Sequence, residues 1–446
     1  MTHIREIMTD NLMKETIQKF SSRRWFFLRP EDILSANILT AYPEDVEDGD
    51  SLIMVLSLKT EEGEKLMDLA LTLHQDTYGD YHFTDSIEDG HFPDVLKKMI
   101  HEDGDFKITE HGVGLKHWVE SNPDFKPMKL EQSNSSFKLG DSVIGKFFRT
   151  PSGPENPDYQ IPILIRKYSD FKGVPENLGA IMYNGKRDLC ICVFSTFIKN
   201  MGDYWKYLFE RSRETDNSNF LIEAREEAVK IGVAVAKLHI SLASIDEKGY
   251  TRENFTERDY LRIKKQDNGL IQEFKRILKS SYGVSYRDLY EMEGRFITPE
   301  FHKIGEKKQP IHGDLHLGQI LKTEETPVII DFEGEPMAAM EDRVSKGSIL
   351  KDLAGLTRSW NYLWHFILGN GDLPDKISAE FREITVDTYM KEMEKAGMEL
   401  GNQWNDILSF FEIEKAIYEA VYEWNNRPEM LWIPMQFLRN SLKCHS

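Results

Sequence analysis

Two acidic loops in the second half of the sequence carry side chains that could transfer a phosphoryl group. The first loop contains His312-Gly313-Asp314, and Gln319 follows five residues after its aspartate. The second loop begins at Asp331, directly after three apolar residues. Phosphoryl transfer requires a carboxylate beside the attacking hydroxyl and oxygen ligands that hold Mg²⁺ against the phosphates. We therefore predict that Asp314 is the catalytic carboxylate and that Gln319 and Asp331 bind Mg²⁺.

The spacing of these two loops matches an arrangement found in kinases, in which His-x-Asp-x₄-Asn is followed by Asp-Phe-Gly. Gln319 replaces the asparagine, and Asp331-Phe332-Glu333 replaces Asp-Phe-Gly. A single His-Gly-Asp is usually a turn capped by its aspartate, but a second acidic loop at this separation is much rarer by chance. We predict that His312 braces the loop by hydrogen bonding. For His316, a functional and a purely structural role both remain open.

A polar segment upstream could bind the phosphates of a nucleotide. Gln132-Ser133-Asn134-Ser135-Ser136 ends ten residues before Lys146. Small polar turn residues let backbone N–H groups and hydroxyls approach phosphate oxygens. Period-2 alternation places Lys146 on one strand face with Ile144 and Phe148. Alone, such a run is usually an ordinary loop and a strand lysine is usually solvated, but together they predict a site for the phosphates of ATP.

Three regions of different character must position these residues. Residues 1–105 alternate strand-like runs with acidic turns, and residues 106–200 are rich in β-forming runs. Residues 201–446 are mainly helical, because apolar side chains recur at helical spacing on segments whose opposite face is charged. A β-rich region followed by a helical one is consistent with a two-lobed α+β enzyme.

Individual elements can also be predicted. The segment 92–102 is a predicted helix, and 221–242 is a predicted amphipathic helix. Gly140-Asp141 between two β-rich runs predicts a hairpin. Two further runs, 162–167 and 189–197, are predicted strands.

The composition narrows the range of partners. The chain has 446 residues. Its formal net charge of −19 disfavours binding to nucleic acids and to anionic membrane surfaces. Its three cysteines make no disulfide framework and no zinc spacing, and Cys190 and Cys192 are expected on one buried strand face. No apolar run approaches the roughly 20 residues of a membrane span, and residues 1–15 carry no apolar signal region. We expect a soluble, cytoplasmic protein.

Taken together, these motifs resemble the maltokinases, which are relatives of aminoglycoside phosphotransferases. The similarity extends over nearly the whole chain. The segments that carry the resemblance are Glu131-Gln132-Ser133-Asn134-Ser135-Ser136, His312-Gly313-Asp314-Leu315-His316-Leu317-Gly318-Gln319, Ile330-Asp331-Phe332-Glu333-Gly334-Glu335-Pro336, Lys351-Asp352-Leu353-Ala354-Gly355-Leu356-Thr357-Arg358-Ser359 and Lys415-Ala416-Ile417-Tyr418-Glu419-Ala420-Val421-Tyr422-Glu423.

The resemblance implies ATP- and Mg²⁺-dependent phosphorylation of maltose at its anomeric hydroxyl. It also implies a bilobal protein-kinase-like α+β fold in which 1–105 form an N-terminal α+β cap domain, 106–200 a lobe that binds ATP phosphates, and 201–446 a helical lobe with the catalytic and sugar sites. Ser195-Thr196-Phe197 would be the hinge that offers backbone groups to adenine. The residues expected on the sugar side are His316, Glu333, Lys415, Tyr418 and Tyr422.

Because the sequence departs from the maltokinase pattern at several positions, it does not determine which sugar is the substrate. Gln160 stands where a carboxylate should pair with Lys146, so that Glu155 or Asp158 would have to replace it. Some relatives that share the catalytic motifs phosphorylate glucosamine, and an amino sugar or an aminoglycoside would favour an acidic pocket. The acids available for such a pocket are Glu341, Asp342, Glu419 and Glu423. A sugar- or nucleotide-binding pseudokinase without catalysis is the alternative of another class.

Overall fold

A computed structural model describes residues 1–102, 104–111, 114–121, 123–128, 133–281, 296–335, 343 and 345–443. The chain divides into two compact units. Unit 1 consists of Met1–Ile163 and Pro175–Ile198, and unit 2 of Leu164–Val174 and Lys199–Ser446. The predicted domain boundaries at residues 105 and 200 stay a prediction.

Unit 1 combines antiparallel sheets with short helices. Its strands are β1 (Thr2–His3), β2 (Ser35–Tyr42), β3 (Asp45–Val46), β4 (Ser51–Thr60), β5 (Gly63–Gln75), β6 (Tyr81–Asp85), β7 (Phe106–Glu110), β8 (Phe125–Pro127), β9 (Ser135–Leu139), β10 (Val143–Ser152), β11 (Asn177–Asn184) and β12 (Asp188–Thr196). Its helices are α1 (Ile4–Ile7), α2 (Asp10–Phe20), α3 (Ser86–Asp89), α4 (Phe92–His101), α5 (Leu115–Glu120) and the first half of α6 (Pro157–Tyr168). The division between the units falls within α6.

The strands of unit 1 form two main sheets. One has four strands in the order β2-β4-β5-β6, and the other has six in the order β7-β11-β12-β10-β9-β8. Strand β4 is apolar on both faces because both are covered. Leu52, Met54 and Leu56 pack in the cluster that contains α2, whereas Ile53 and Val55 pack in the cluster that contains α4 and the six-stranded sheet. The four-stranded sheet is therefore an internal layer of unit 1.

The hairpin predicted at Gly140-Asp141 is confirmed. Leu139 at the end of β9 pairs with Val143 at the start of β10, and Gly140 between them has a φ of 59°. This left-handed conformation favours glycine in the turn. Helix α4 confirms the predicted helix at 92–102.

One predicted strand of the β-rich region is wrong. Residues 162–167 belong to helix α6, whose buried Ile161, Leu164 and Ile165 recur at helical spacing. The Asn156 side chain accepts the N–H of Asp158 at 2.9 Å and so caps the first turn of this helix. The apolar run is short enough to fit either period, and only the cap and the packing select the helix.

The two buried cysteines do not share a strand face as predicted. Both are fully buried in β12, but Cys192 packs in the cluster containing Phe147, and Cys190 in the cluster containing Phe148. The register of β12 against β11 shifts between these two positions, which marks a β-bulge at Ile191. An extra residue in a strand reverses the direction of the side chains that follow it.

Unit 2 is mainly helical. Its elements include α7 (Tyr204–Glu214), α8 (Asn217–Ala243), β13 (Glu253–Asn254), α9 (Glu257–Ser281), β14 (Lys307–Lys308), β15 (Ile320–Leu321), β16 (Val328–Ile329), α10 (Ile349–Leu368), α11 (Asp372–Lys395), α12 (Trp404–Asn426) and α13 (Trp432–Lys443). Helix α8 confirms the amphipathic helix predicted at 221–242.

The core of unit 2 is built around α10. Nearly every residue from Ile349 to His365 is buried. Trp360 and Trp364 pack on Phe381 of α11, with ring centroids 4.9 and 4.8 Å apart. A helix buried on most sides is a rigid support, and the loops that hold the candidate site rest on its first turn. Within the described ranges, no helix has both the length and the apolar character needed to span a membrane.

Candidate active site

The 312–319 loop is anchored on a buried aspartate at the start of α10. Asp352 accepts hydrogen bonds from the backbone N–H groups of His312 (2.7 Å) and Gly313 (2.8 Å). Its carboxylate also contacts His239 Nε2 at 3.0 Å, and both side chains are fully buried. Burial works to raise the pKa of Asp352, but His239 and the loop N–H groups outweigh it and lower the pKa. The carboxylate therefore fixes the backbone directly before Asp314.

His312 joins the two acidic loops. Its Nδ1 accepts a hydrogen bond from the N–H of Asp314 (3.3 Å), so that Nε2 carries the proton and donates to the carbonyl oxygen of Ile330 (2.9 Å). The ring also packs on Phe332, with 5.0 Å between centroids. Both ring nitrogens are thus used within unit 2. The two loops lie side by side, as their spacing predicted.

An oxygen-rich group forms where the second loop begins. Gln319 Nε2 donates to Asp331 Oδ2 at 2.8 Å, and Asp331 and Glu333 offer carboxylate oxygens within 4.8 Å of each other. Carboxylate and carboxamide oxygens are the hard ligands that Mg²⁺ prefers, so these side chains fit that ion. Asp331 has a φ of 68°, a left-handed conformation that Asp and Asn tolerate better than most residues.

Asp314 lies at one end of a chain of alternating charges. Lys415 Nζ is 2.9 Å from Asp314 Oδ1 and 2.7 Å from Glu335 Oε1. Lys351 Nζ then lies 3.6 Å from Glu335 Oε2 and 3.4 Å from Glu414 Oε1. All five side chains are at least partly buried. Helix α12 supplies Lys415 and Glu414, so this helix reaches the loop that carries Asp314.

These charges set the protonation of Asp314. Burial works to raise its pKa, but Lys415 and, to a smaller extent, His316 outweigh it and hold the pKa at about 2. The pKa of Lys415 is raised well above its usual range, because Asp314 and Glu335 outweigh the opposing effect of burial. Asp314 is therefore an ionised carboxylate at neutral pH, as a proton acceptor must be.

Replacing Lys415 with methionine is expected to shift the acid limb of the pH–activity profile upward. In the native protein Asp314 stays ionised down to its pKa of about 2. Without Lys415 the burial of Asp314 is no longer opposed, its pKa rises, and activity is lost at a higher pH as the carboxylate takes up a proton. The measurement is kcat/KM from about pH 4 to about pH 9, a range in which protonation of Asp314 should lower the activity of the variant but not that of the native protein.

The control for this variant is Lys351→Met. It removes the same charge from the same chain of ion pairs, but Lys351 contacts Glu335 and Glu414 rather than Asp314. Its acid limb should move less. Superimposable acid limbs in the Lys415→Met variant and the native protein would show that Lys415 does not control Asp314.

Replacing Asp352 with alanine is expected to lower the free energy of unfolding by about 3–5 kcal/mol, because buried donors lose their charged acceptor. Asp352→Asn should cost less, since a carboxamide oxygen can still accept one of the two loop N–H groups. Both variants should lower kcat, because the backbone before Asp314 is no longer fixed. Denaturant unfolding and steady-state kinetics measure the two effects. Native stability in Asp352→Ala would rule out this anchor.

His316, Tyr418 and Tyr422 lie around the same region. His316 Nδ1 accepts the N–H of Gly318 at 3.0 Å, which caps the turn, while its Nε2 is 4.0 Å from Asp314 Oδ2. Burial lowers the pKa of His316, although Asp314 opposes it. Tyr418 lies under Lys415 Nζ, 4.6 Å from its ring centroid, and Tyr422 continues the same face of α12. Their roles toward a substrate stay predictions.

The lysine predicted to bind phosphates has a carboxylate partner in unit 1. Lys146 Nζ on β10 lies 2.6 Å from Asp158 Oδ2 in the first turn of α6. Gln160, which occupies the expected position of the acid, instead donates to the carbonyl oxygen of Pro154 at 3.4 Å. Asp158, one of the two acids considered from the sequence, therefore supplies the ion pair that Gln160 cannot make.

The polar segment before Lys146 is only partly a loop. Gln132 lies outside the described residues, and Ser133 and Asn134 precede β9. Ser135 and Ser136 are within β9, where Ser136 pairs with Lys146, so their placement in a loop was wrong. Serine fits a strand here because the backbone ladder uses the N–H and C=O groups that a turn would expose. Contact of these residues with phosphate stays a prediction.

The predicted hinge lies at the end of β12. Ser195 pairs with Ile144 of β10. The N–H of Phe197 donates to the carbonyl oxygen of Ser142 at 2.7 Å, and Lys138 Nζ lies 3.9 Å from the centroid of its ring. The N–H of Phe197 is thus used within the sheet. Its proposed contact with adenine stays a prediction.

The buried partners behind the loop were not predicted from the sequence. His239 of α8 contacts Asp352 and also Tyr389 of α11, whose hydroxyl lies 2.7 Å from His239 Nδ1. The available signal was a histidine next to Leu238 on an otherwise apolar helix face. Glu335, the shared partner of Lys415 and Lys351, could not be recognised because its contacts lie far away in the sequence. Glu341 and Asp342 lie outside the described residues.

Solved structures identify the class of fold. A glucosamine kinase in complex with glucosamine, ADP and inorganic phosphate matches with a TM-score of 0.66 and 16% sequence identity, covering 92% of this chain and 94% of that chain. Crystal form B of glucosamine kinase matches with a TM-score of 0.70 and 16% identity, covering 93% and 96%. These matches confirm the predicted kinase-like α+β fold.

Curated relatives point in the same direction at the level of sequence. The glucosamine kinase of Mycolicibacterium smegmatis is 23% identical over 257 residues, which cover 56% of this chain and 62% of the relative. The glucosamine kinase of Streptacidiphilus jiangxiensis is 21% identical over 250 residues, which cover 54% of each chain. The match spans less than two thirds of the length of either relative. No family model matches the sequence.

Proposed function

We propose that this protein is an ATP-dependent sugar kinase and that its acceptor is an amino sugar such as glucosamine. The observation that carries the proposal is the setting of Asp314. This side chain is ionised, its loop is fixed by Asp352, and His312 ties that loop to the one that begins at Asp331. A held carboxylate next to an oxygen-rich group is the arrangement that phosphoryl transfer to a hydroxyl requires.

Among the described residues, no hydrogen-bond donor contacts one of the two carboxylate oxygens of Asp314. Lys415 occupies Oδ1, whereas Oδ2 is 4.0 Å from His316 Nε2, beyond hydrogen-bond distance. In the proposed reaction the acceptor oxygen attacks the γ-phosphorus of ATP, and the bond to the bridging oxygen of ADP breaks. The hydroxyl proton passes to Asp314 Oδ2. Lys415 keeps Asp314 ionised until that moment.

The remaining groups bind and orient the nucleotide. Gln319 and Asp331 would hold Mg²⁺, with Glu333 near enough to assist, and the bound ion would neutralise charge on the transferring phosphoryl group. In unit 1, Lys146 would contact the phosphates of ATP while Asp158 fixes its ammonium. The ion pair also argues against the pseudokinase alternative, which rested on the missing carboxylate at Gln160.

The charges around Asp314 favour a cationic acceptor. Among the described residues, the lysines and arginines on α10 and on or directly after α12 form ion pairs with one more acid than there are bases. Its acids are Asp314, Glu335, Glu414, Glu419 and Glu423, and its bases are Lys351, Lys415, Arg358 and Arg427.

In three of these acids, burial disfavours the ionised carboxylate. Burial raises the pKa of Glu414, Glu419 and Glu423 despite their basic partners. An ammonium group on the substrate would supply the missing positive charge and stabilise the ionised carboxylates. Maltose, which the resemblance implied, has no charged group for this role. The two relatives and the two solved structures described above are glucosamine kinases, so we place the amino sugar first.

The test is a coupled assay of ADP release with a panel of acceptors. Glucosamine, N-acetylglucosamine, glucose, maltose and an aminoglycoside are compared at fixed ATP and Mg²⁺. N-acetylglucosamine is the matched control, because it keeps the skeleton of glucosamine and loses the positive charge. We expect kcat/KM for glucosamine to exceed that for N-acetylglucosamine by at least about tenfold, since one charge-assisted contact differs.

Two results would contradict the proposal in different ways. A preference for maltose would overturn the acceptor but keep the kinase. If the protein still binds ATP but none of the sugars causes Mg²⁺-dependent release of ADP, the result would support the non-catalytic alternative.

A further inference from the structure

Arg149 is a buried cation on the strand that carries Lys146. It lies in β10, three residues after Lys146, and only 1% of its surface is exposed. Its guanidinium lies 4.1 Å from the ring centroid of Trp25 and 5.1 Å from that of Phe147. Arginine is almost never fully buried unless its charge is paired, so this position calls for a physical reason.

The guanidinium joins the two main sheets of unit 1. Its Nε donates to Ser135 Oγ at 2.8 Å, and its Nη2 donates to the carboxylate of Asp85. Ser135 belongs to β9 of the six-stranded sheet, whereas Asp85 ends β6 of the four-stranded sheet. Asp85 also accepts the N–H groups of Ile87 (3.0 Å) and Glu88 (3.2 Å), which holds its carboxylate in place. One side chain therefore has a fixed partner on each sheet.

Stability alone is a weak reason for this arrangement. Desolvation of a buried ion pair can exceed the attraction between its members. Within the described part of the chain, Arg149 Nη1 and both carboxylate oxygens of the fully buried Asp68 have no hydrogen-bond partner. A set of apolar side chains in place of Arg149, Asp85 and Asp68 would pack here without these losses. What arginine adds is direction, because its planar fork fixes two partners at once.

We infer that Arg149 is a positioning residue for the nucleotide: by holding Ser135 of β9 to Asp85 of the four-stranded sheet, it fixes the β9–β10 hairpin and with it the place of Lys146. Within its own sheet the hairpin is held by β12 beside β10 and by the three-residue β8 beside β9. Lys146 must meet Asp158 and a phosphate together, so a small displacement of β10 loses the contact. This inference rests on the proposed use of ATP and gives the four-stranded sheet a role in it.

The first test compares Arg149→Met with the native protein. The apparent KM for ATP is expected to rise about tenfold or more, because Lys146 is no longer held in place. The KM for the acceptor should stay within about twofold, since nothing in unit 2 is altered. Arg149→Lys should not restore the KM for ATP, because an ammonium is not a planar fork and cannot hold both partners in the same geometry.

Arg187→Met is the matched control. Arg187, in the turn between β11 and β12, also bridges the two sheets by pairing with Glu64 of β5 at 2.5 Å. Both side chains of this pair are about half exposed, and exposed ion pairs contribute little. This variant loses an arginine and an inter-sheet ion pair but should keep the native KM for ATP. An equal rise in both variants would mean that any loosening of the sheets has the same effect, and would overturn the inference.

A double-mutant cycle separates positioning from direct contact. Ser135→Ala removes one partner of Arg149, and its side chain is small and only partly buried, so it is expected to fold even if Arg149→Met does not. If Ser135 acts through Arg149, the Ser135→Ala change adds nothing in the Arg149→Met background. If Ser135 itself binds phosphate, the two fold-changes in KM multiply, and the inference is wrong.

Equilibrium binding of ATP, measured by calorimetry, distinguishes a failure of the proposed function from a failure of the proposed role of Arg149. A native protein that binds no ATP defeats the proposed function. A native protein that binds ATP, together with an Arg149→Met or Ser135→Ala variant that binds it equally well, defeats only the role of Arg149.

Discussion

Replacing Asp314 with asparagine is expected to lower kcat for sugar phosphorylation by about 10²- to 10⁴-fold, the range typical of a lost acid–base group. Asparagine keeps the shape of the side chain, and its carboxamide oxygen can still accept a hydrogen bond from Lys415. It cannot take a proton from the acceptor hydroxyl. The affinity for ATP should be unchanged, because in this proposal Asp314 acts on the acceptor.

The measurement pairs steady-state kinetics with direct nucleotide binding. Asp406→Asn is the control, since Asp406 lies in the first turn of α12 and is exposed. It loses the same charge on the helix that carries Lys415 and should keep native activity. An Asp314→Asn protein that phosphorylates its sugar at close to the native rate would remove Asp314 from the mechanism.

Replacing Asp331 with asparagine is expected to have the second large effect, on the metal. The apparent affinity for Mg²⁺ should fall and kcat should drop by about 10³-fold, because metal stabilisation of phosphoryl charge is worth several kcal/mol. Asparagine isolates the charge, since it tolerates the left-handed backbone at this position. Asp331→Ala would add about 1–2 kcal/mol of backbone strain to the same loss.

Kinetics at a series of Mg²⁺ concentrations test this prediction. Higher Mg²⁺ should recover part of the activity of Asp331→Asn, and thermal unfolding should show a stable protein. Asp331→Ala should bind Mg²⁺ as weakly and unfold more easily. If Asp331→Asn has the native dependence on Mg²⁺, the ion is held elsewhere.

The sequence alone was informative where the signal is local. The β9–β10 hairpin followed from two β-rich runs around Gly140-Asp141, and α8 followed from its apolar stripe. The prediction of a strand at 162–167 was wrong because a short apolar run fits both the strand and the helix period. The cap at Asn156 selects the helix. The prediction that Cys190 and Cys192 share a strand face was wrong, because a period-2 pattern gives no sign of a single bulge residue.

The candidate site divides in the same way. Asp314, Gln319 and Asp331 could be found because their spacing is short and their residue types are chemically demanding. Asp158 remained one of two possibilities until its distance to Lys146 was available. The link from Lys415 to Asp314 spans 101 positions in the sequence, and no periodicity reports such a contact. Sequence patterns thus identify candidate reacting groups better than the residues that shift the pKa values of those groups.

The double covering of strand β4 has a consequence for any attempt to shorten the protein. Removal of α1 and α2 would expose Leu52, Met54, Leu56 and Leu58, which form a continuous apolar surface on one face of β4. Exposed apolar surfaces of this kind associate with one another. A fragment that starts at β2 is therefore expected to aggregate or oligomerise rather than remain a smaller monomer. The first twenty residues are, in this sense, a built-in protection against self-association.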